Sequence, residues 1–311
     1  MTQLIVSAIL PVFILIFLGW LTVKIKLVGQ DAHKTCASLV TYYVFPALLF
    51  VNTASAKPSQ ILDIKWMGAF LLSISVIWII CFLVGRRCFK ESVRDSVMQS
   101  MLCTFTDMGG MGIPFLMQII GSAALISVAK ANFVVSLTLI PITIFLLEMH
   151  SESTKSKGQI ILYALFKSFK KPMFLAVVIG AMISFTGVYT SMPSVAINTM
   201  KHISNACVFV SLFTVGLALY GIRLRLSLLF IFNLIMKSLI SGFIAWGIVL
   251  MFGISGDAGK ELVYLVALPT ATIATIFALQ WRALPEEATS LYLSTTVLSL
   301  ITLPMWMYLL S

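Results

Sequence analysis

The stretch CTFTDMGGMGIPFLMQ, residues 103–118, combines residue types that are rare inside a long apolar segment. Asp107 is an acid that can carry a proton or bind a cation. It is followed by three glycines and a proline: Gly109, Gly110, Gly112 and Pro114. Glycine and proline weaken or break the helical hydrogen-bond ladder, and a bilayer tolerates this only where protein or a water-filled cavity covers the freed backbone groups. We therefore expect a binding site here rather than a plain membrane anchor.

Asp107 is the only one of the eleven acidic residues that falls well inside an apolar segment. An unpaired charge in a bilayer costs at least about 2.5 to 3.5 kcal/mol, so intramembrane acids are functional candidates. The first hypothesis makes Asp107 a proton carrier or a ligand of the bound species. The alternative is structural, with the carboxylate capping the broken helix or pairing with a lysine.

A second interruption lies in the stretch ALPTATIATIFALQW, where Pro269 stands well inside an apolar run. Three threonines follow it: Thr270, Thr272 and Thr275. Their hydroxyls could bind a carboxylate or an ion, or could bond only to their own helical turn. Half-helices beginning near Pro114 and Pro269 would present unpaired N–H groups and a positive dipole end. This pattern favours a carboxylate or another small anion as the ligand.

Two further polar residues are weaker candidates for the site. Lys237 lies deep in a later apolar segment and could pair with Asp107 or with the ligand. Alternatively, its long side chain finds water or a partner without a functional role. Asn205 is a polar candidate in the segment before it.

The elements that position these residues are membrane helices, because 60% of the residues are hydrophobic and only 10% are charged. The apolar runs are about 20 residues long and lack the alternation of a membrane barrel. The fold class is therefore an all-α polytopic bundle, and the first run is expected to be a retained span rather than a signal peptide. The ten predicted spans are residues 4–23, 35–54, 66–86, 96–120, 123–147, 172–190, 197–221, 226–252, 260–281 and 287–310.

The net charge of +10 follows the sides of the membrane and does not indicate a nucleic-acid partner. Fifteen Lys and Arg residues lie in or beside the loops after odd-numbered spans, and only three lie on the opposite side. The positive-inside rule therefore places the odd-numbered loops in the cytoplasm and both termini outside. The short loops indicate a bacterial cytoplasmic, or inner, membrane. The loop 151–171 contains IILYALFKSFKK, which could lie flat as an amphipathic interfacial helix.

Motifs for other chemistry are missing from the sequence. The five cysteines have no CxxC spacing and there is no histidine cluster, so neither a disulfide framework nor a metal site is predicted. There is no HExxH or GxSxG motif and no intramembrane acid pair, so an enzyme is not predicted. No cofactor is expected. A channel is a remote alternative without a filter motif or a ring of charge.

A weak internal repeat divides the chain near its middle. The pattern that begins at Pro11, PxF followed by five residues and Gly, recurs at Pro172 with a spacing of 161 (172 − 11). PITIFLL from Pro141 matches PMWMYLL from Pro304, at a spacing of 163 (304 − 141). Because five spans make an odd number, two five-helix repeats must be inverted, which is a transporter architecture. We expect repeats at 1–150 and 172–311, with broken helices 4 and 9 in corresponding positions.

Four motifs together resemble the auxin efflux carrier family of the bile-acid/sodium symporter superfamily, and in particular its bacterial malonate and malate permeases. They are FPALLF, which contains Pro46; GMGIP, which ends at Pro114; ALPTA around Pro269; and LSTTVLSLITLPMW, which begins at Leu293. The resemblance implies helices 4 and 9 crossing near Pro114 and Pro269, with substrate beside the crossing and an elevator-like movement of a core domain. It also implies a homodimer. Members usually have asparagine where this chain has Asp107.

The expected function is that of a secondary transporter for a small organic anion. Malonate is the first substrate expected, and malate or another short mono- or dicarboxylate is next. Protons are the expected coupling ion, through Asp107. The first alternative is a sodium-coupled symporter of the same fold with a different substrate, suggested by the distant bile-acid symporter kinship and the hydroxyl-rich segment after Pro269.

Overall fold

A computed structural model describes residues 14–29, 31–149, 172–221 and 226–311, and this part of the chain is helical throughout apart from short connections. We number its main helices in chain order. They are α1 Ile14–Lys24, α2 Ala32–Ser55, α3 Ile64–Arg87, α4 Val93–Thr104, α5 Met108–Ile119, α6 Ser122–Leu147, α7 Pro172–Thr186, α8 Ser194–Asn205, α9 Cys207–Leu219, α10 Leu228–Met251, α11 Asp257–Ala267, α12 Thr272–Trp281 and α13 Pro285–Leu309. The predicted all-α class is confirmed.

Each of the ten predicted spans overlaps one of these helices or, in spans 4, 7 and 9, a pair of them. Within the part of the chain that the structure describes, five helices are long and apolar enough to cross a membrane: α2, α3, α6, α10 and α13. The assignment of ten crossing helices to two inverted repeats stays a prediction. Pro11 and the proposed interfacial helix at 151–171 lie outside the described residues.

Two capped helices show how local sequence sets their starts. Ser92 precedes α4, and its hydroxyl accepts a hydrogen bond of 3.0 Å from the N–H of Asp95. Ser227 precedes α10 and accepts one of 2.9 Å from the N–H of Phe230. Serine is a preferred N-cap because its oxygen satisfies an N–H that has no partner in the first helical turn.

The chain divides into two compact units. Among the described residues, unit 1 comprises 14–64, 108–133 and 172–221, and unit 2 comprises 65–107, 134–149 and 226–311. Each unit takes helices from both predicted repeats. The repeat boundaries themselves, 1–150 and 172–311, stay a prediction.

Unit 1 is held by two close helix approaches that involve glycines of the sequence repeat. A side chain at Gly19 in α1 would collide with the backbone of α9 at Phe213 and Gly216. A side chain at Gly180 in α7 would come within 3.1 Å of the Phe50 carbonyl in α2. The spacing between Phe50 and Phe213 is 163 (213 − 50), and the spacing between Gly19 and Gly180 is 161 (180 − 19). The two contacts are therefore related by nearly the same shift along the chain.

The helices of unit 2 recur at a constant spacing along the chain. Helices α3 and α10 contain 24 residues each, and their first positions differ by 164 (228 − 64). The first positions of α4 and α11 also differ by 164 (257 − 93). Helix α13 packs beside α10, where the ring of the fully buried Trp306 lies against Gly242.

Candidate functional site

The two helix breaks of unit 2 meet and bind each other through their backbones. Helix α4 ends at Thr104 and α11 ends at Ala267. The segments that follow lie antiparallel, with a bridge between Thr106 and Thr270. The Asp107 N–H donates to the Pro269 carbonyl and the Ala271 N–H donates to the Phe105 carbonyl, both at 2.9 Å. We call residues 105–107 and 268–271 the crossing.

The hydrogen bonds of the crossing are symmetric in the sequence. Asp107 and Ala271 are separated by a spacing of 164 (271 − 107), and so are Phe105 and Pro269 (269 − 105). Exchanging the two segments therefore converts one bond into the other. The spacing is the one that relates the helices of unit 2 and lies close to the 161 and 163 of the sequence repeat.

The ends of the two broken helices are completed by side chains. Pro269 has no N–H, and the Thr270 N–H donates elsewhere, to the Thr295 hydroxyl 3.2 Å away. The last carbonyls of α11 therefore need other donors, and the Lys237 amino group donates to the Val266 carbonyl at 3.0 Å. At the end of α4 the Thr270 hydroxyl donates to the Leu102 carbonyl at 3.1 Å.

Lys237 is completely buried in unit 2. It lies in a π-helical turn of α10, Met236–Ile240, a distortion that places one additional residue in the turn. Within the described residues it forms no ion pair with Asp107, which was one of the partners considered from the sequence. Its other electrostatic neighbours are the thiols of Cys103 and Cys81, and sulfur is only a weak acceptor.

Asp107 occupies the last position of the first segment of the crossing and is buried, with 7% of its surface exposed. Thr106 in the crossing, with 2% of its surface exposed, and Thr275 in α12, with 7% exposed, are among the buried threonines of unit 2. Neither hydroxyl has a hydrogen-bond partner among the described residues. A buried hydroxyl without a partner is costly, so these two groups are available to a ligand or a water. The side chain of Thr272 lies outside the described residues.

The first interruption was predicted over the stretch from Asp107 to Pro114, with the crossing near Pro114. The break lies at the start of that stretch, and the crossing is not at Pro114. The chain leaves the helix at Phe105 and resumes at Met108, so the crossing lies seven residues before Pro114 (114 − 107). Helix α5 begins with a π-helical turn, Met108–Gly112, and Pro114 follows in the first turn of the α-helical part. Proline is well tolerated there because its fixed backbone angle suits a helix start. Pro269 does lie within the crossing, as predicted.

The remaining candidates belong to unit 1. A side chain at Gly109 would come 2.5 Å from the ring of Phe45, the buried residue before Pro46, so these two motifs pack together. Gly110 and Gly112 lie in the same π-helical turn as Gly109, and Pro46 follows the π-helical turn of α2. Asn205 is exposed at the end of α8, beside a break at Ala206 that was not predicted.

A buried amide pair in unit 2 was missed by the sequence analysis. The Gln99 side-chain amide donates to the Asn233 side-chain oxygen at 2.9 Å, and the Cys103 thiol lies 3.6 Å from the same oxygen. Thr295, which supports the crossing, was missed as well. Each of these residues is polar and lies within an apolar span, which is the pattern that indicated Asn205 and Lys237 as candidates. The same pattern could have indicated Gln99, Asn233 and Thr295.

Comparison with known proteins gives one family and several relatives. A family described as "Membrane transport protein" matches residues 4–307. The chain is similar to "Uncharacterized transporter YfdV" of Escherichia coli K12, at 22% identity over 97% of this chain and 96% of the relative. It is also similar to "Putative malonate transporter" of Rhizobium meliloti, at 22% identity over 98% and 95% of the two chains. An "Uncharacterized transporter" of Methanothermobacter thermautotrophicus is 24% identical over 96% of each chain.

Proposed function

Because the chain belongs to the membrane transport protein family, whose members are transporters and not enzymes, we propose that it moves a small organic anion by alternating access. It is a multi-pass integral membrane protein. The observation that carries the proposal is the crossing, where two broken helices meet in the middle of apolar segments. Broken membrane helices are characteristic of the substrate and ion sites of secondary transporters.

The polar groups near the crossing suit an anion. Helix α12 begins at Thr272, directly after the crossing, and the first N–H groups of a helix lack acceptors within it. The positive end of the helix dipole favours a negative ligand. The unpartnered hydroxyls of Thr106 and Thr275 would donate to carboxylate oxygens. These groups support a small mono- or dicarboxylate as the substrate.

Malonate is the first substrate to test. The relative from Rhizobium meliloti carries malonate in its name, and it matches this chain over nearly its whole length. Malonate is short enough for its two carboxylates to reach groups within one turn of the crossing. Malate and other short carboxylates are the next candidates.

We assign the coupling of transport to protons through Asp107. A carboxylate with 7% of its surface exposed can take up a proton together with the anion and release both on the other side. An elevator-like displacement of the unit that contains the crossing would carry both. A sodium-coupled symporter is the alternative, because hydroxyls and unwound carbonyls also bind sodium.

The test is uptake of radiolabelled malonate into proteoliposomes, with and without an imposed proton gradient, for the native protein and for Asp107→Asn. A gradient of one pH unit is equivalent to about 1.4 kcal/mol per proton, so coupling to one proton permits about tenfold accumulation. We expect accumulation by the native protein and none by Asp107→Asn. Glu261→Gln is the matched control, because Glu261 is equally buried in unit 2 but lies in α11, eight residues before Pro269 (269 − 261). It should retain the response to the gradient.

Four outcomes would contradict parts of this proposal. An unchanged pH profile in Asp107→Asn would remove the proton role of this residue. Uptake that stops when potassium replaces sodium would favour the sodium alternative. Failure of malonate uptake, with no effect of a panel of other carboxylates, would refute the substrate class. Unitary currents from the purified protein would indicate a channel instead of a carrier.

A further inference from the structure

Lys237 differs from the other buried lysine of the described chain in how its charge is compensated. Lys130 has 7% of its surface exposed and lies 3.5 Å from the carboxylate of Asp63. Lys237 is completely buried, forms no ion pair within the described residues, and donates to a backbone carbonyl at the end of α11. The end of a helix carries a partial negative charge, which compensates a cation placed there.

The two halves of unit 2 differ at the position of this lysine: only the half that contains α11 has a lysine there. The spacing of unit 2 relates Lys237 to Ser73 (237 − 164), which is fully buried in α3 and whose hydroxyl donates to the Ala69 carbonyl of its own helix at 2.8 Å. The residue that corresponds to Thr270 is Thr106 (270 − 164). Thr270 completes the end of α4, whereas the hydroxyl of Thr106 has no partner among the described residues and Lys237 completes the end of α11. The amino group therefore stands at a helix end where symmetry would place a hydroxyl.

Secondary transporters use such helix ends to hold cations. Unwound carbonyls and the C-terminal ends of half-helices coordinate the exchangeable sodium ion or proton. Val266 is a carbonyl of this kind, because it lies one residue before the end of α11 and the helix is not continued. The Lys237 amino group occupies the coordinating position on this carbonyl.

We propose that the Lys237 amino group is a tethered replacement for an exchangeable cation at the C-terminal end of α11. The end of α11 is then satisfied without an ion from solution. Removing the side chain opens a space beside carbonyls that attract a cation, so a small cation from solution should enter it. Lys237 is a positioning residue in this proposal, since it fixes the helix end and does not contact the transported anion.

The experiment measures the midpoint of thermal unfolding, Tm, of purified protein in detergent at one ionic strength. Four chloride salts are compared: sodium, potassium, methylammonium and choline, the last being too large for the space. We expect native Tm to be equal in all four salts. Lys237→Ala should lose at least about 5 °C in choline and regain half or more of the loss in one of the three small cations.

Two variants separate this effect from a general loss of stability. Lys237→Met fills the space without a donor, so its Tm should be lowered equally in every salt. Thr270→Val removes the side-chain donor that completes the end of α4 but leaves no space for a cation. Its Tm should fall and should show no preference among the salts.

The proposal is overturned if Lys237→Ala keeps the native Tm or if small cations restore no more than choline does. It is also overturned if sodium or potassium selectively stabilises the native protein and Lys237→Met abolishes that stabilisation, because the ion would then be taken up at the Lys237 site itself. That last comparison decides the question even if Lys237→Ala cannot be purified in folded form. A second readout, malonate uptake that becomes sodium-dependent in Lys237→Ala, rests on the proposed function. The unfolding measurements do not, so the two proposals can fail separately.

Discussion

Thr270→Val removes one hydrogen bond from the crossing and keeps the shape of the side chain. The Thr270 side chain is fully buried, and its hydroxyl donates to the Leu102 carbonyl, which lies near the unfinished end of α4. Valine has no donor, so the carbonyl is left without this hydrogen bond. Leaving a buried backbone group unsatisfied costs about 1 to 3 kcal/mol. With a shift of about 2 to 4 °C per kcal/mol for a large domain, Tm should fall by about 2 to 12 °C.

Thr296→Val is the matched control for this substitution. Thr296 is also buried, with 2% exposed, but its hydroxyl donates to the Tyr292 carbonyl one turn earlier in α13. That carbonyl lies within a continuous helix, where it is also the acceptor of the backbone ladder. Removing a bond back to the same helix should change the free energy of unfolding by less than about 0.5 kcal/mol.

The measurement is thermal unfolding followed by tryptophan fluorescence, with malonate uptake recorded on the same preparations. We expect Tm of Thr270→Val to lie clearly below that of Thr296→Val, and uptake to fall with it. Equal Tm values for the two variants would refute the reasoning. They would show that the Leu102 carbonyl finds another donor, or that the crossing contributes no more stability than an ordinary helical turn.

Two further predictions concern a close approach of two helices and a carboxyl group in the connection between α3 and α4. Gly216→Leu should prevent recovery of folded protein, because the new side chain would collide with the backbone of α1. Gly247→Leu, at an open position of α10, should express normally, and gel filtration compares the two variants. Burial, followed by the charges of Asp95 and Glu287, raises the pKa of Glu91 above 4.5. Its contribution to stability is therefore present below pH 4.5 and is lost as pH rises through the raised pKa, so Glu91→Gln should flatten the dependence of Tm on pH in this range.

The break at α11 could be predicted from sequence because its cause is local. Pro269 lacks the N–H that a helix needs, and the residue before a proline is biased toward extended structure. The break at α4 could not be located in the same way. Pro114 lies in a helical turn, while the chain leaves the helix at Phe105, where nothing in the local sequence forbids a helix. That segment is extended because it binds the other segment of the crossing, and a partner so distant along the chain is not visible in a local pattern.

For individual polar residues, too, the sequence shows what is local and does not show partners that are distant along the chain. Lys237 could be recognised as unusual in the sequence because it lies deep in an apolar span. Its acceptor could not be predicted, since the Val266 carbonyl becomes available only because α11 ends there. The same holds for Thr295, whose hydroxyl accepts a hydrogen bond from the Thr270 N–H and which looks in sequence like any threonine of a membrane helix. The break at Ala206 had no signal beyond one asparagine. Composition identifies which residues are costly to bury, and only the tertiary structure shows what satisfies them.

The backbone bonds of the crossing also set an order for membrane insertion. Phe105 is bonded to Ala271, which is synthesised much later, at a sequence separation of 166 (271 − 105). At roughly 5 to 20 residues per second, the ribosome takes about 8 to 33 s to cover that distance. During this interval the segment after α4 lacks the backbone partners that hold it extended in the finished protein. Residues 105–107 should therefore reach their final extended backbone only after Ala271 has been synthesised, long after α4 itself can form.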